Sequence, residues 1–188
     1  MYSILSYFFS KFLIELPHLV LSPMIFSLIC YFGCGLTVTA NQFWCFVFTL
    51  IMVVFDAHSY GYFLSSMFDS SILAAQVSPL FAIPMMLVGG MLCNTGTMSS
   101  WVSWLQYLSP IRYGYEALVW NQYEDLDVSP DPLNYLNFDI GMENCWKYMF
   151  ILGICLRVLT LGFLKWKIRK PIWMAHIYIR LLIGLYSS

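Results

Sequence analysis

From Ser78 to Asn121 the chain reads SPLFAIPMMLVGGMLCNTGTMSSWVSWLQYLSPIRYGYEALVWN. The first half is apolar and uncharged as far as Cys93. A small polar turn, Asn94 to Ser100, then leads into an aromatic segment that stays amphipathic without becoming soluble. This pattern reads as a membrane span feeding a re-entrant external cap. Lipid accepts a helix whose backbone satisfies itself, and accepts irregular backbone only where protein shelters it.

The composition requires the same solvent. Of 188 residues, 60% are hydrophobic, 19% aromatic and 10% charged, more apolar surface than one soluble core of this size can hide. The net charge of −1 hides an asymmetry: Asn121 to Asn144 holds six acids and no base, whereas Lys147 to the end holds seven bases and no acid. Opposite ends of the last span therefore carry opposite charge. No basic region and small-residue cleavage site precede the first apolar run, so the N-terminus does not read as a cleavable signal. The six cysteines follow no metal or redox spacing and read as packing residues. No metal and no nucleic-acid partner is expected.

In chain order, Met1 to Leu16, with Lys11 and Glu15 four apart, reads as a short interfacial helix. Four spans follow, at about residues 17–36, 43–65, 71–93 and 145–164, with the re-entrant loop at 94–144. The cluster KWKIRK, Lys165 to Lys170, belongs on the cytoplasmic side. That places Lys11 and Asp69 inside, and Thr37 to Gln42 and the whole of 94–144 outside. The fold class expected is an all-helical membrane protein of four transmembrane helices plus a re-entrant external helical hairpin.

The runs GGMLCN, SWLQYLSPIRYGYEAL and NQY closely resemble the end of the fifth span and the following external loop of G-subfamily (White type) ABC half-transporters. Ser6 to Leu36 is similar to the connecting helix and third span of that family, and LRVLTLGFLKWKIRK to its sixth span and basic terminus. The resemblance implies that residues 1–170 are the later two-thirds of an ABC-2 type transmembrane domain. It implies an exporter of lipid-like, sterol-like or xenobiotic molecules, driven by ATP and Mg bound on an ATP-binding domain elsewhere in sequence or on another chain. These residues contain no GxxxxGK[ST] phosphate loop, so they are not expected to hydrolyse ATP themselves. A dimer, with itself or another half-transporter, is implied, surrounded by membrane lipid, with the plasma membrane the favoured location.

Pro79, Ile83 and Met86 recur at i, i+4 and i+7 on the third span, one helical stripe that reads either as ordinary packing or, by the resemblance, as the wall of a central substrate cavity. Met91 and Leu92 occupy the place of two family leucines that close the cavity outward, Met91 departing from leucine. Trp101, Trp104 and Tyr107, followed by Arg112, Tyr113, Gly114 and Glu116, suit a cap at the headgroup boundary. Arg112 and Glu116 can pair one turn apart, and as a surface pair would contribute about 0.3 to 0.5 kcal/mol.

Asp56 lies near the centre of the second span, where an ionised carboxylate costs roughly 2.5 to 3.5 kcal/mol. It reads either as a neutral or hydrogen-bonded acid between helices or as a proton or substrate group. His58 projects from another face, while Tyr60 shares that of Asp56. Arg157, in the fourth span, resembles an arginine of some family members and reads as snorkelling or pairing inside the bundle. Cys93 and Cys145 both fall on the external side, where the family's loop disulfide is absent and a bridge between these two is an alternative. The tail 171–188 is unlike the family and reads as lying along the inner surface. Two other classes stay open: a membrane fragment that dimerises with or regulates full-length relatives, or a remnant without transport; and an ion channel built on Asp56.

Overall fold

In the computed structural model the described residues are 4–36, 39–68, 70–91, 104–123 and 136–186, with the side chains of 4, 5, 7, 71 and 168–186 left aside. They form α1 (Ile4–Gly33), α2 (Ala40–Met67), α3 (Ser71–Val88), a 3-10 segment (Trp104–Leu108), α4 (Pro110–Tyr123) and α5 (Met142–Tyr186). The fold is all helix. Three segments are long and apolar enough to cross a bilayer, Phe8–Gly33, Ala40–Met67 and Met142–Lys167, with a shorter apolar helix at Ile72–Val88. The chain is an integral, multi-pass membrane protein.

The expected spans shift at their ends, each for a local reason. No break separates an interfacial helix from the first span: α1 runs unbroken through Pro17 and Pro23. Each proline removes one backbone bond, which is a smaller loss than exposing a whole turn of backbone to lipid. Ser27 Oγ donates to the Pro23 carbonyl at 2.6 Å. The helix stops in a Schellman turn: Gly35 adopts φ 65°, and Leu36 N–H bonds back to the Tyr31 carbonyl at 3.2 Å.

The third span ends at Val88, five residues before Cys93. Gly90 takes φ 83°, and a Cβ on Gly89 would lie 3.1 Å from the Ile111 side chain and 3.2 Å from the Arg112 nitrogen. The chain leaves the helix where α4 comes so close that a side chain would force its neighbours to give by a few tenths of an ångström. At the other end of the chain, α5 continues past residue 164 through Pro171 to Tyr186, in place of a span and a separate tail. Lys165 to Lys170 holds no glycine, serine or asparagine to stop a helix.

α2 is the centre. Its aromatic residues interlock with α5 along their shared length: Phe48 with Trp146 at 4.9 Å between ring centroids, Phe55 with Phe150 at 6.4 Å, and Phe63 with Phe163 at 5.7 Å. Tyr31 of α1 packs edge-on against Phe43 and Phe46 at 5.2 and 5.5 Å. Two α2 hydroxyls each make two bonds. Thr49 Oγ1 donates to the Cys45 carbonyl and accepts from Trp146 Nε1, and Ser59 Oγ donates to the Phe55 carbonyl and accepts from Arg157 Nε. Lys167 Nζ donates to the Phe68 carbonyl at 3.2 Å, a cation on the carboxyl end of α2. Lys11 lies 4.7 Å from the Tyr62 ring centroid. The basic end of α5, the end of α2 and Lys11 thus share one end of the bundle.

Candidate functional site

Eight of the 14 residues of α4 are buried, whereas Val88 is the only described hydrophobic residue of α3 in the core. The short amphipathic helix is therefore built into the protein, and the apolar helix lies at its edge. Tyr113 and Ala117 of α4 join Cys145 and Met149 of α5 in one cluster, backed by Met52 and Val53 of α2. Gly114 lets α4 approach α2, since a Cβ there would strike Val53 Cγ2.

Hydrogen bonds fix the register of this hairpin. Asn121 Nδ2 donates to the Gln42 carbonyl near the start of α2 at 2.9 Å, and Tyr60 Oη donates to the Leu108 carbonyl at 2.6 Å. α4 therefore runs against α2 with its N-terminus beside the second half of that helix, deeper than a roof at headgroup level. Ser109 Oγ donates to the Met85 carbonyl at 2.9 Å, tying the hairpin to the top of α3. Tyr113 Oη donates to the Tyr107 carbonyl at 2.9 Å. In the 3-10 segment residues three apart eclipse, and Trp104 and Tyr107 are both exposed.

Arg112 and Glu116 pair, but not as a surface pair. Arg112 Nε lies 3.8 Å from Glu116 Oε2, too long for a hydrogen bond, with side chains 7% and 0% exposed. The small value expected for an exposed pair does not apply. Arg112 also lies 5.1 Å from the Tyr107 ring centroid, and Glu116 Oε1 accepts from the Ile140 backbone N–H at 2.7 Å. Burial pushes the Glu116 carboxyl above its ordinary range, against the opposing pull of the Ile140 N–H and Arg112. Burial likewise raises the Tyr113 phenol, which the Arg112 charge partly offsets.

Between α2, α3 and α4 lies a cavity of about 220 Å³ lined by Val53, Ala57, Tyr60, Phe81, Ala82, Met85 and Ile111, among others. Pro79, Ile83 and Met86 sit one residue on from the lining Ser78, Ala82 and Met85, so they lie about 100° round the same helix. Pro79 and Ile83 are exposed and Met86 is half-buried. The stripe is left largely uncovered by the chain's own helices. Met91 is exposed and follows the end of α3 instead of riding on it.

Leu92, Cys93 and Trp101 lie outside the described residues, and the suggested Cys93 bridge with them. Cys145 is fully buried, and its thiol is free among the described residues. Asp56 is fully buried, and Arg157 stacks on Phe55 and Phe12 at 4.0 and 4.4 Å from their ring centroids. No group of three or more His, Cys, Asp or Glu that could hold a metal occurs among the described residues. Sequence reading missed Ser109 and Gly89. The close approach at Gly89 had its signal in the GG pair, while nothing local marks Ser109 as a tether.

A family model described as ABC-2 type transporter matches residues 1–123. The chain is 36% identical over 130 residues to mouse "Broad substrate specificity ATP-binding cassette transporter ABCG2", covering 69% of this chain and 20% of that protein. It is 30% identical over 145 residues to "ABC transporter ATP-binding protein/permease wht-1" of Caenorhabditis elegans, covering 76% and 21%, and 34% identical over 122 residues to "Protein white" of Drosophila melanogaster, covering 65% and 18%. The chain spans about a fifth of the length of these curated relatives. With an all-helical membrane fold and a family match over more than half its length, the chain belongs to the ABC-2 type transporter family, as a membrane domain similar to those of the G-subfamily half-transporters.

Proposed function

We propose that this chain is the later part of the transmembrane domain of an ATP-driven exporter that moves lipid-like, sterol-like or xenobiotic molecules across a membrane, powered by an ATP-binding domain on other sequence. The observation that carries the reading is the division of labour between α3 and α4. α4 is packed into the bundle and tied to α2 near both its ends, while α3 presents Pro79 and Ile83 uncovered. In a dimer the two exposed stripes would face a shared apolar space, with Met91 and Leu92 above it as the outward gate and α4 as the rigid wall behind. Alternating access then needs α3 to move against a fixed α2–α4–α5 unit when the ATP-binding domains close. The two prolines of α3, Pro79 and Pro84, weaken its own ladder and suit such bending.

The test is a chimaera in which residues 1–170 replace the corresponding part of a complete G-subfamily transporter, assayed in inverted vesicles for ATP-dependent uptake of an apolar fluorescent dye. Uptake is expected, and Ile83→Arg should abolish it while ATP turnover continues. Leu92→Ala should leave turnover intact and reduce net uptake, because the exit no longer closes. A chimaera that reaches the membrane and hydrolyses ATP but moves no dye counts against the reading.

A further inference from the structure

Arg157 carries a charge that it cannot lose by deprotonation, and the structure holds it inside the helix bundle. Its guanidinium carbon lies 4.0 Å from the Phe55 ring centroid, 4.4 Å from Phe12 and 5.9 Å from Tyr62, and Nε donates to Ser59 Oγ at 3.0 Å. These contacts come from α1 and α2, so the side chain points inward from α5. Neither the rings nor the hydroxyl brings a compensating negative charge.

Two carboxylates do. They are Glu15, on α1, and Asp56, on α2, whose charges reach Arg157 through space; among the described residues neither lies within 4.0 Å of it as an ion pair. Asp56 is fully buried, and among the described residues neither of its carboxylate oxygens has a hydrogen-bond donor. It lies against α5 at Gly153, one turn before Arg157, where a Cβ would strike Asp56 Oδ1. Glu15 Oε1 lies 4.0 Å from Lys11 Nζ, and Glu15 Oε2 lies 3.6 Å from His58 Nδ1. Asp56 stands sixteen residues after Ala40 and eleven before Met67, or roughly 24 Å and 16 Å along the helix. The cluster therefore reaches from the Lys11 end of the bundle to just short of the middle of α2. With neutral histidines, Lys11 and Arg157 balance Glu15 and Asp56. Without Asp56, the part of the cluster farthest from water would carry unbalanced positive charge.

We propose that Asp56 is the counter-ion that holds Arg157 within the membrane, so that Lys11, Glu15, Asp56 and Arg157 form one charge-balanced cluster joining α1, α2 and α5. This rests on the packing of the three helices and not on the transport reading. It predicts an asymmetry. Asp56→Asn strands an arginine that stays charged, whereas Arg157→Met strands an acid that can take up a proton, with a side chain that still fills the aromatic box.

The experiment is a double-mutant cycle on the full 188-residue chain, purified in detergent and followed by thermal unfolding. Asp56→Asn should lower the midpoint by about 10 °C. Arg157→Met alone should lower it by less, and the double variant should recover most of the loss caused by Asp56→Asn. Glu15→Gln, nearer the water, should have a smaller effect than Asp56→Asn. If Asp56→Asn yields no folded protein, recovery of folded material in the double variant supports the proposal. Additive losses, an unchanged midpoint in Asp56→Asn, or a double variant no better than Asp56→Asn would overturn it.

Discussion

Gly114 offers a test of the α2–α4 packing in which the sign of one substitution depends on another helix. It stands in the interior of α4, where glycine costs about 1 kcal/mol relative to alanine. A Cβ at this position would strike Val53 Cγ2, and the next nearest atom, Val53 Cβ, is 3.8 Å away. The collision is thus with a single methyl group. Overpacking of this kind costs about 1 to 3 kcal/mol, which the gain in helix propensity of about 1 kcal/mol partly offsets. Gly114→Ala in the parent should therefore destabilise by about 0 to 2 kcal/mol. In a Val53→Ala background the offending methyl is gone, and the same change should stabilise by about 1 kcal/mol. The coupling between the two sites is then about 1 to 3 kcal/mol, or roughly 2 to 12 °C for a chain of this size. Thermal unfolding of the four detergent-purified proteins, read by intrinsic tryptophan fluorescence, measures it. Equal effects of Gly114→Ala in both backgrounds would refute the placement of α4 on α2.

Gly153→Ala should lower the unfolding midpoint by several degrees, because its Cβ meets Asp56 and also the Phe55 ring at 2.5 and 2.8 Å. Gly162→Ala, with no atom within 4 Å on the same helix, should be neutral or raise the midpoint. Glu116 gives a pH dependence. Its carboxyl is raised from the ordinary 4.5, so its contribution to stability is fully present below 4.5 and is lost as pH rises through the elevated folded value. The midpoint of the parent minus that of Glu116→Gln should fall over that interval, and a flat difference counts against the buried site. Tyr60→Phe removes the bond to the Leu108 carbonyl and should cost about 0.5 to 1.5 kcal/mol. It should also speed proteolysis in the 92–103 segment next to the 3-10 turn. Unchanged cleavage would mean that this bond does not hold the hairpin.

The helices were legible because lipid leaves few alternatives to a self-satisfied backbone, and their ends were not. The first span was expected from Pro17 because Pro, Lys and Glu read as an interfacial boundary, yet α1 runs from Ile4. In water those residues would favour a break; in a membrane protein the same backbone loses more by leaving the helix. The end of α3 depended on a tertiary fact. Two glycines in an apolar run can serve as helix packing or as a stop, and the approach of Ile111 and Arg112 to Gly89 decides for the stop. Periodicity gave little help with faces, because a helix that is apolar all round shows no stripe to distinguish lipid from partner.

Pair spacing was legible, but pair environment was not. Lys11 with Glu15 and Arg112 with Glu116 have the same four-residue separation, and both pairs form. Lys11 stays 46% exposed and Glu15 28%, so solvent screens that pair. Arg112 and Glu116 are shut in at 7% and 0% because α2 and α5 close over α4. Spacing along one helix fixes which charges can meet, whereas the energy of their meeting depends on helices distant in sequence. The same reasoning joins the two outermost spans to the middle of the bundle: Glu15 meets His58 across 43 residues, and Ser59 meets Arg157 across 98. No local window contains either contact. Each polar residue inside an apolar span needs a partner, and in this fold α2 is the helix on which those partners converge.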